Sequence, residues 1–315
     1  MIGKETDKMK EMAKKPHFSQ RDKKISLKER WKYRKKNELN RSMGGNIVVF
    51  LLLALLGAFM ALPVVYSIVQ AFKPMEEIFI FPPRFTVQNP TGKNFKLIGQ
   101  LADNLWVPFS RYLFNSVFVS FAGTLGNVLI SSMAAYPLAK HDFPGKKVLF
   151  QLVTISLLFT GGVIELPRYI VMAKLHIINT YWALILPAVA SSMGLFLMKQ
   201  FMEQLSNSLL EAARMDGMTE FKIFIKIVMP LVKPAWLTQI IFAFQGVWSM
   251  TGGNYIYKES LKLFPTALAQ IQSGGISRAG VAAAAALIML IPPVIMFLVT
   301  QSSIMETMAH AGIKE

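Results

Sequence analysis

The chain has 315 residues, of which 53% are hydrophobic and only 17% charged, against roughly 25% charged in an average soluble domain. So few charged residues would not cover the surface of a soluble protein of this size, and the composition is far from that of disordered chains. There is no cysteine, which excludes a disulfide scaffold, a thiolate nucleophile and a thiolate metal site. The composition therefore indicates an integral membrane protein.

The net charge of +16 is concentrated at the N-terminus, where residues 1–45 hold 15 Lys and Arg against 6 Asp and Glu. A basic segment of this kind can bind nucleic acid, but this one precedes a long apolar run. The positive-inside rule and attraction to anionic headgroups favour a cytoplasmic tail beside the bilayer. It does not resemble a signal peptide, because the charged stretch is too long and no small-residue cleavage site follows. We interpret residues 1–45 as a basic cytoplasmic tail and expect no nucleic-acid partner.

Six stretches are long and apolar enough to cross a bilayer core, which needs about 20 residues of helix. They cover residues 47–72, 116–138, 148–164, 181–198, 235–250 and 281–300. We expect a break after the third span at Leu166-Pro167. With the N-terminus inside, the four inner segments hold 24 of the 34 Lys and Arg residues, which places both termini in the cytoplasm. The sequence thus predicts an all-α membrane protein with six transmembrane helices in a domain over residues 46–315.

The longest inner segment, residues 199–234, has the pattern of two short helices. Ser208 followed three residues later by Glu211 fits a capping box, and Gly217 is placed to end that helix in a left-handed conformation. Thr219 is then placed to cap a second helix with an apolar stripe at helical spacing, formed by Phe221, Phe224, Ile225 and Val228. Periodicity alone supports two interpretations equally, an amphipathic segment on the bilayer and a knob that docks into a groove of a soluble partner.

The spacing within this segment resembles the EAA loop of ABC-importer permeases. That pattern is E-A-A, three residues, G, nine residues and I-x-L-P, and the one departure here is Met229 in place of leucine, a mild change. The matching residues are Glu211, Ala212, Ala213, Gly217, Ile227 and Pro230, and Asp216 before the glycine matches a common variant of the pattern. Residues 115–116, 135–140 and 179–187 resemble the carbohydrate-importer branch. Within it, the chain is most similar to the smaller permease of maltose-type importers, especially the subgroup for oligosaccharides and polysaccharide fragments.

The resemblance implies a type I ABC importer permease fold with a cytoplasmic EAA coupling-helix loop. It implies a multi-pass protein of the bacterial cytoplasmic (inner) membrane that imports an oligosaccharide or polysaccharide fragment. Its partners would be a second homologous permease subunit, two ATPase subunits, an extracellular solute-binding protein and membrane lipid. The EAA loop would sit in a groove of one ATPase, and closure of the ATPase pair would rock the permeases between inward- and outward-facing states. ATP and Mg would be bound by the ATPases, and this chain would not be an enzyme.

The residues themselves agree with this division of labour. The chain has no G-x-x-x-x-G-K-[ST] phosphate loop, so we expect no cofactor bound by it in that way. The four histidines have no metal-ligand spacing, and we expect no metal site. A coupling-ion relay would need paired carboxylates in the spans, and the nearest candidate, Glu165, is interpreted as an ion pair with Arg168. An ABC importer for a non-sugar solute and a stand-alone secondary transporter are the alternatives.

A sugar path should be lined by polar groups that bond hydroxyls and by aromatic rings that stack on CH faces. The second span, the fifth span and the segment after it supply the candidates Asn127, Gln239, Phe244, Gln245, Trp248, Asn254 and Tyr255. Because Gln245 and Trp248 are three residues apart, we expect them on one helix face. The alternative is that the amides bond neighbouring helices and that Trp248 belongs to an interfacial aromatic belt. The resemblance also implies that residues 250–279 reach into the binding protein.

Overall fold

The structure, a computed structural model, describes residues 43–103, 107–159, 161–273 and 275–311. Most of the basic tail predicted over residues 1–45 therefore lies outside the described residues. The described residues divide into two compact units, with the boundary between Ala61 and Leu62. The boundary lies within the first helix, α1 (Met43–Phe72), whose residues 44–61 are apolar and exposed. An exposed helix that is apolar on all sides is typical of a membrane span.

The second unit begins with the end of α1 and continues with α2 (Met75–Ile78), α3 (Lys93–Asp103) and α4 (Phe109–Lys140). Next come α5 (Lys146–Ser156), α6 (Gly161–Lys174), α7 (Trp182–Val189) and α8 (Ser192–Glu203). The remaining helices are α9 (Asn207–Met215), α10 (Glu220–Leu231), α11 (Lys233–Trp248), α12 (Phe264–Gln272) and α13 (Ala279–Ala311). The stretch Phe224–Val228 within α10 is π-helical, and a short 3-10 turn occupies Glu259–Leu261.

Within the described residues, four helical stretches are long and apolar enough to cross a membrane: Gly44–Phe72, Phe109–Lys140, Trp182–Glu203 and Ala279–Gln301. Two bent pairs, α5 with α6 and α10 with α11, raise the number to six if each pair is one span. The axes of α10 and α11 meet at 78°. The described chain is therefore all-helical with four to six candidate spans, as predicted for the fold class, and the count of six remains a prediction.

Proline positions predicted the helix breaks poorly. Pro167 lies inside α6, and the break falls between Ser156 and Gly161 instead. Membrane helices tolerate proline, whereas the consecutive glycines at 161–162 weaken a helix. The prediction of Leu166-Pro167 as the break was therefore wrong.

The predicted fourth span consists of two helices, because α7 ends at Val189 and Ser191 caps α8 by accepting from the Gly194 N–H. Together they form the candidate span Trp182–Glu203.

Small residues allow α4, the central helix of the second unit, to approach its neighbours closely. It contacts α7, α8 and α11, and α11 also packs against α13. A Cβ added at Gly126 would lie 2.6 Å from Val189 Cγ2, and one at Gly123 would lie 3.1 Å from the Ala188 Cβ. The glycines of this span thus serve helix packing within the chain.

The length of α4 separates two polar ends of the second unit. Near its C-terminus, the ring of Tyr136 packs on Phe224 of α10. Near its N-terminus, Asn115 Nδ2 donates to the carbonyls of Ser260 and Lys262, both at 2.9 Å. A helix of 32 residues is about 48 Å long, more than the roughly 30 Å of a bilayer core. The segment over residues 199–234 and the segment after α11 therefore lie at opposite ends of the bundle.

Candidate coupling loop and substrate path

Helix α9 ends in the geometry that its glycine predicts. Gly217 has φ +76°, in the left-handed region. Its N–H donates to the Arg214 carbonyl at 3.0 Å, and the Met218 N–H donates to the Ala213 carbonyl at 3.1 Å. These two bonds form a Schellman motif, in which glycine avoids the cost of a Cβ. A Cβ at Gly217 would meet nothing within 4 Å, so the backbone conformation alone requires glycine here.

The start of α9 differs from the prediction. The helix begins at Asn207 and its N-cap is Ser206, so Ser208 lies inside the first turn. The Ser208 hydroxyl is 2.6 Å from that of Ser206, and the capping box with Glu211 predicted from the sequence was wrong. An N-cap must have a non-helical backbone, and here that residue stands two positions earlier than the spacing indicated.

The predicted apolar stripe of α10 is only half buried. Phe224 and Val228 pack inside, together with Ile223. Phe221 and Ile225 are 64% and 47% exposed, because the face turned towards the core is centred on Ile223 and Phe224. Phe221 and Ile225 therefore leave apolar surface on the outside of the loop, while the other half of the stripe packs against the bundle.

The matched EAA pattern divides into an outward and an inward set. Glu211, Ala212, Asp216, Gly217 and Pro230 are exposed, whereas Ala213 is buried and Ile227 is partly buried. Ala213 packs in a cluster with Leu210, Ile223, Met198 and Met202. One face of α9 thus holds the loop on the bundle while Glu211 and Ala212 remain accessible.

A polar cluster ties both short helices to the end of α4. The Glu220 carboxylate, at the start of α10, accepts from the Tyr136 hydroxyl at 2.8 Å and from Arg214 Nε at 2.6 Å. His141 Nε2 lies 3.3 Å from the same carboxylate. The hydrogen bond to Glu220 raises the pKa of Arg214, so the guanidinium stays charged. Sequence reasoning missed Glu220 and Arg214, although Tyr136 lies in one of the stretches that resembled the carbohydrate branch.

A second tie is made by Lys140, the last residue of α4. Its ammonium donates to the carbonyls of Glu203 and Leu205 at 3.2 and 2.5 Å, and to Asn207 Oδ1 at 3.0 Å. These groups lie at the end of α8, in the connection and at the start of α9. Together with Glu220, Lys140 fixes the position of the loop against one membrane helix.

Two of the predicted path residues form a buried contact between helices. Gln239 Nε2 donates to Asn127 Oδ1 at 2.6 Å, and Asn127 Nδ2 donates to the Ala188 carbonyl at 2.6 Å. Gly194 leaves room for this contact, since a Cβ there would lie 2.3 Å from Gln239 Nε2. The amides thus bond neighbouring helices. They also line a cavity of about 210 Å³, and their role towards a substrate stays a prediction.

The candidates on α11 do not share one environment. Gln245 is exposed, whereas Trp248 is 3% exposed and donates its indole N–H to the Met289 carbonyl of α13 at 3.1 Å. Phe244 stacks on Trp248 with ring centroids 5.9 Å apart. Phe244 and Trp248 line an apolar cavity of about 590 Å³ between α4, α11 and α13. The expected common face of Gln245 and Trp248 is divided, because α13 covers only Trp248.

The last two candidates lie beyond α11. Tyr255 is buried, with its ring stacked 6.3 Å from that of Tyr169. Asn254 donates its side-chain N–H to the Glu165 carboxylate. Glu165 is therefore paired with Asn254, and the ion pair predicted with Arg168 is not among the salt bridges of the described residues. In the described ranges no group of three or more His, Asp or Glu side chains is arranged to hold a metal ion.

Residues 128–303 match the family described as "Binding-protein-dependent transport system inner membrane component". The arabinooligosaccharides transport system permease protein AraQ of Halalkalibacterium halodurans is 31% identical over 266 residues, 82% of this chain and 92% of AraQ. Protein LplC of Bacillus subtilis is 35% identical over 61% of this chain, which spans 63% of LplC. The polygalacturonan/rhamnogalacturonan transport system permease protein YtcP of Bacillus subtilis is 31% identical over 65% of this chain and 69% of its own length.

The fold has a counterpart among solved structures. The crystal structure of a bacterial ABC transporter involved in the import of the acidic polysaccharide alginate contains a chain with a TM-score of 0.67 and 22% identity. The likeness covers 84% of this chain and 99% of that chain, and it shows the type I importer permease fold. With more than half of its length matched to the family and with this fold, the chain belongs to the binding-protein-dependent transport system inner membrane components, the non-enzymatic permease subunits of ABC importers.

Proposed function

We propose that this chain is one of two permease subunits of an ATP-driven importer that carries an oligosaccharide or polysaccharide fragment across the bacterial cytoplasmic membrane. The names of its relatives AraQ and YtcP support the sugar class. In this arrangement two ATPase subunits bind ATP and Mg, and an extracellular binding protein delivers the glycan. Six spans follow if each bent helix pair crosses once, with both termini and the tail over residues 1–45 in the cytoplasm.

The observation that carries the coupling role is the Glu220 carboxylate, which joins three parts of the chain. The carboxylate accepts hydrogen bonds from Arg214, near the end of α9, and from Tyr136 on α4. Glu220 itself is the first residue of α10. A displacement of the two short helices is therefore transmitted to α4, which runs the length of the bundle. We propose the same link for transport: ATP-driven closure moves the loop, and α4 carries the movement to the other end.

The outward side of the loop is the surface that we propose for the ATPase. Met215 is 89% exposed, and Phe221 and Ile225 add apolar surface beside the exposed Glu211 and Ala212. A helix that presents apolar side chains to a groove is a recurrent mode of protein recognition. Ala213, Gly217, Ile227 and Pro230 then shape the loop, and Asp216 lies at its turn.

The substrate path runs, in this proposal, between the two permeases along α4 and α11. Its candidates from this chain are those predicted from the sequence: Asn127, Gln239, Phe244, Gln245, Trp248, Asn254 and Tyr255. Among them Gln245 is exposed on α11, and Phe244 lines the apolar cavity. The packed amides Asn127 and Gln239 then serve the path by holding its helices together.

The test is ATP hydrolysis by the complete importer, reconstituted in proteoliposomes with its binding protein. We expect neutral or acidic oligosaccharides to stimulate hydrolysis and glycerol phosphate to have no effect. The permease purified without the ATPases should hydrolyse no ATP. Stimulation by a non-sugar solute alone would reject the sugar class, and hydrolysis by the permease itself would reject the division of labour.

A further inference from the structure

A cavity of about 460 Å³ lies beside the segment that follows α11, at the end of the bundle opposite to α9 and α10. Helix α6 contributes Glu165 and Tyr169 to its wall, and the segment after α11 contributes Asn254 and Tyr257. The volume is within the range of about 300–1,000 Å³ that is usual for small-molecule sites. Unlike the apolar cavity between α4, α11 and α13, this one presents carboxylate, amide, hydroxyl and aromatic groups together.

The two walls of this cavity are held in position by the chain itself. Asn254 bonds Glu165 across it, and the hydroxyls of Tyr169 and Tyr257 are 3.2 Å apart. Behind the wall, Asn179 Oδ1 accepts from the backbone N–H groups of Tyr257 and Lys258 at 3.1 and 2.8 Å. The backbone N–H of Asn179 donates to the Tyr255 carbonyl at 2.8 Å. A site whose walls are already fixed loses less entropy when it binds a ligand.

The chemistry of the lining fits a sugar unit that carries no charge. A carboxylate and an amide bond sugar hydroxyls, and tyrosine rings stack on the CH face of a pyranose or furanose ring. Glu165 is the only charged side chain among the described residues that line the cavity. Arg168 and Lys258, which adjoin the lining residues Tyr169 and Tyr257 in the sequence, do not line it. A uronate unit would place a second carboxylate beside Glu165, and like charges at close range repel.

We propose that this cavity is a glycan site of the permease and that it accepts neutral sugar units in preference to uronates. The inference rests on the sugar-import function proposed above and adds to it the charge class of the glycan. The cavity lies at the end where the binding protein delivers its cargo in that proposal. The permease then samples the glycan before it enters the path, and Glu165 acts as the discriminating residue.

The experiment measures binding to the assembled permease–ATPase complex without the binding protein, by saturation-transfer NMR. The probes are arabinooligosaccharides, which are neutral, and galacturonate oligosaccharides of the same length. We expect saturation transfer to the neutral probe only. Glu165→Gln should weaken that binding about tenfold, the usual effect of losing hydrogen bonds to a charged acceptor, and should narrow the preference over galacturonate. Glu76→Gln, at an exposed carboxylate of α2, is the matched control and should change neither.

A second variant keeps the test informative if Glu165→Gln disturbs the wall. Tyr257→Phe retains the ring and removes the hydroxyl, and it should weaken the neutral probe severalfold. Equal saturation transfer to both probes, or a preference for galacturonate, would overturn the preference for neutral units, and unchanged binding in both variants would overturn the glycan site itself. Those results leave the import function intact, because that function fails only if no glycan stimulates ATP hydrolysis by the wild-type importer.

Discussion

The hydroxyl of Tyr136 donates to the Glu220 carboxylate at 2.8 Å and so connects the end of α4 with the start of α10. The two residues are 84 positions apart in the chain, and the bond is a direct side-chain hydrogen bond between a membrane helix and the second short helix of the loop. Near the other end of α4, Tyr112 makes a hydrogen bond of the same type and length to Glu259. These two tyrosine–glutamate hydrogen bonds, one near each end of α4, allow the effect of losing the bond to be compared at the two ends.

Tyr136→Phe should reduce the coupling of ATP hydrolysis to uptake without reducing the amount of permease in the membrane. The variant loses one hydrogen bond, about 1 kcal/mol, while the ring can still pack on Phe224 and Glu220 keeps Arg214. The measurement is the ratio of sugar imported to ATP hydrolysed in proteoliposomes. Tyr112→Phe removes the equivalent bond at the far end and should leave recovery of the ATPase unchanged. A normal ratio in Tyr136→Phe would mean that this bond does not transmit the movement.

Gly217→Val should yield an abundant permease that loses its ATPase partner or hydrolyses ATP without uptake. An L-residue in the left-handed region costs about 1–2 kcal/mol, which is small for the bundle but enough to redirect α9. The control is Gly145→Val, because Gly145 is also left-handed, with φ +88°, and also has open space around its Cβ position. Co-purification of the ATPase distinguishes the two. Equal recovery with both variants would remove the loop from the coupling role.

Glu211→Ala should leave the thermal stability of the permease unchanged and weaken its association with the ATPase. Glu211 makes no capping box in this structure and is exposed on α9, and alanine is a slightly better helix former. The stability is measured by thermal unfolding in detergent and the association by titration of the ATPase. A lower melting temperature would indicate that Glu211 supports the helix after all.

The Glu259 network should be insensitive to pH until well below neutrality. Burial acts to raise the pKa of Glu259, but hydrogen bonds from Lys262, Tyr112 and Gln270 outweigh it and lower the pKa. A carboxyl whose folded pKa is lowered stabilises the fold above its unfolded pKa, about 4.3, and loses that contribution as pH falls through the folded value. The difference in melting temperature between wild type and Glu259→Gln should therefore be constant from pH 8 to about 5 and shrink only in more acidic buffer. A difference that already shrinks between pH 8 and 6 would contradict this.

Features that depend on the local backbone could be predicted from the sequence. Gly217 is such a case, because the left-handed end of α9 follows from the spacing of a few neighbouring residues. The helical class followed from apolar runs long enough to span a bilayer. The prediction of a break at Leu166-Pro167 was wrong, because proline is tolerated in a membrane helix when neighbouring helices support the chain.

Features that depend on which helices meet could not be predicted in this way. The partner of Glu165 is Asn254, 89 positions away, whereas Arg168 is close only along the chain. The burial of Trp248 under α13 likewise depends on the packing of two separate helices. The same holds for Glu220, whose carboxylate gains its role only when α4 lies beside it.

The π-helical turn over Phe224–Val228 sets the direction in which the loop faces. A π turn holds one more residue than an α turn, and each residue of a helix corresponds to a rotation of about 100°. Deleting one residue here would convert the π turn into a regular α-helical turn with the usual i to i−4 hydrogen bonds. It would also turn Phe221, Met215 and Glu211 through more than a quarter of a circle about the axis of α10. The spacing of nine residues between Gly217 and Ile227 therefore sets the orientation of the loop. The number of residues, as much as their identity, decides which way the exposed surface of the loop faces.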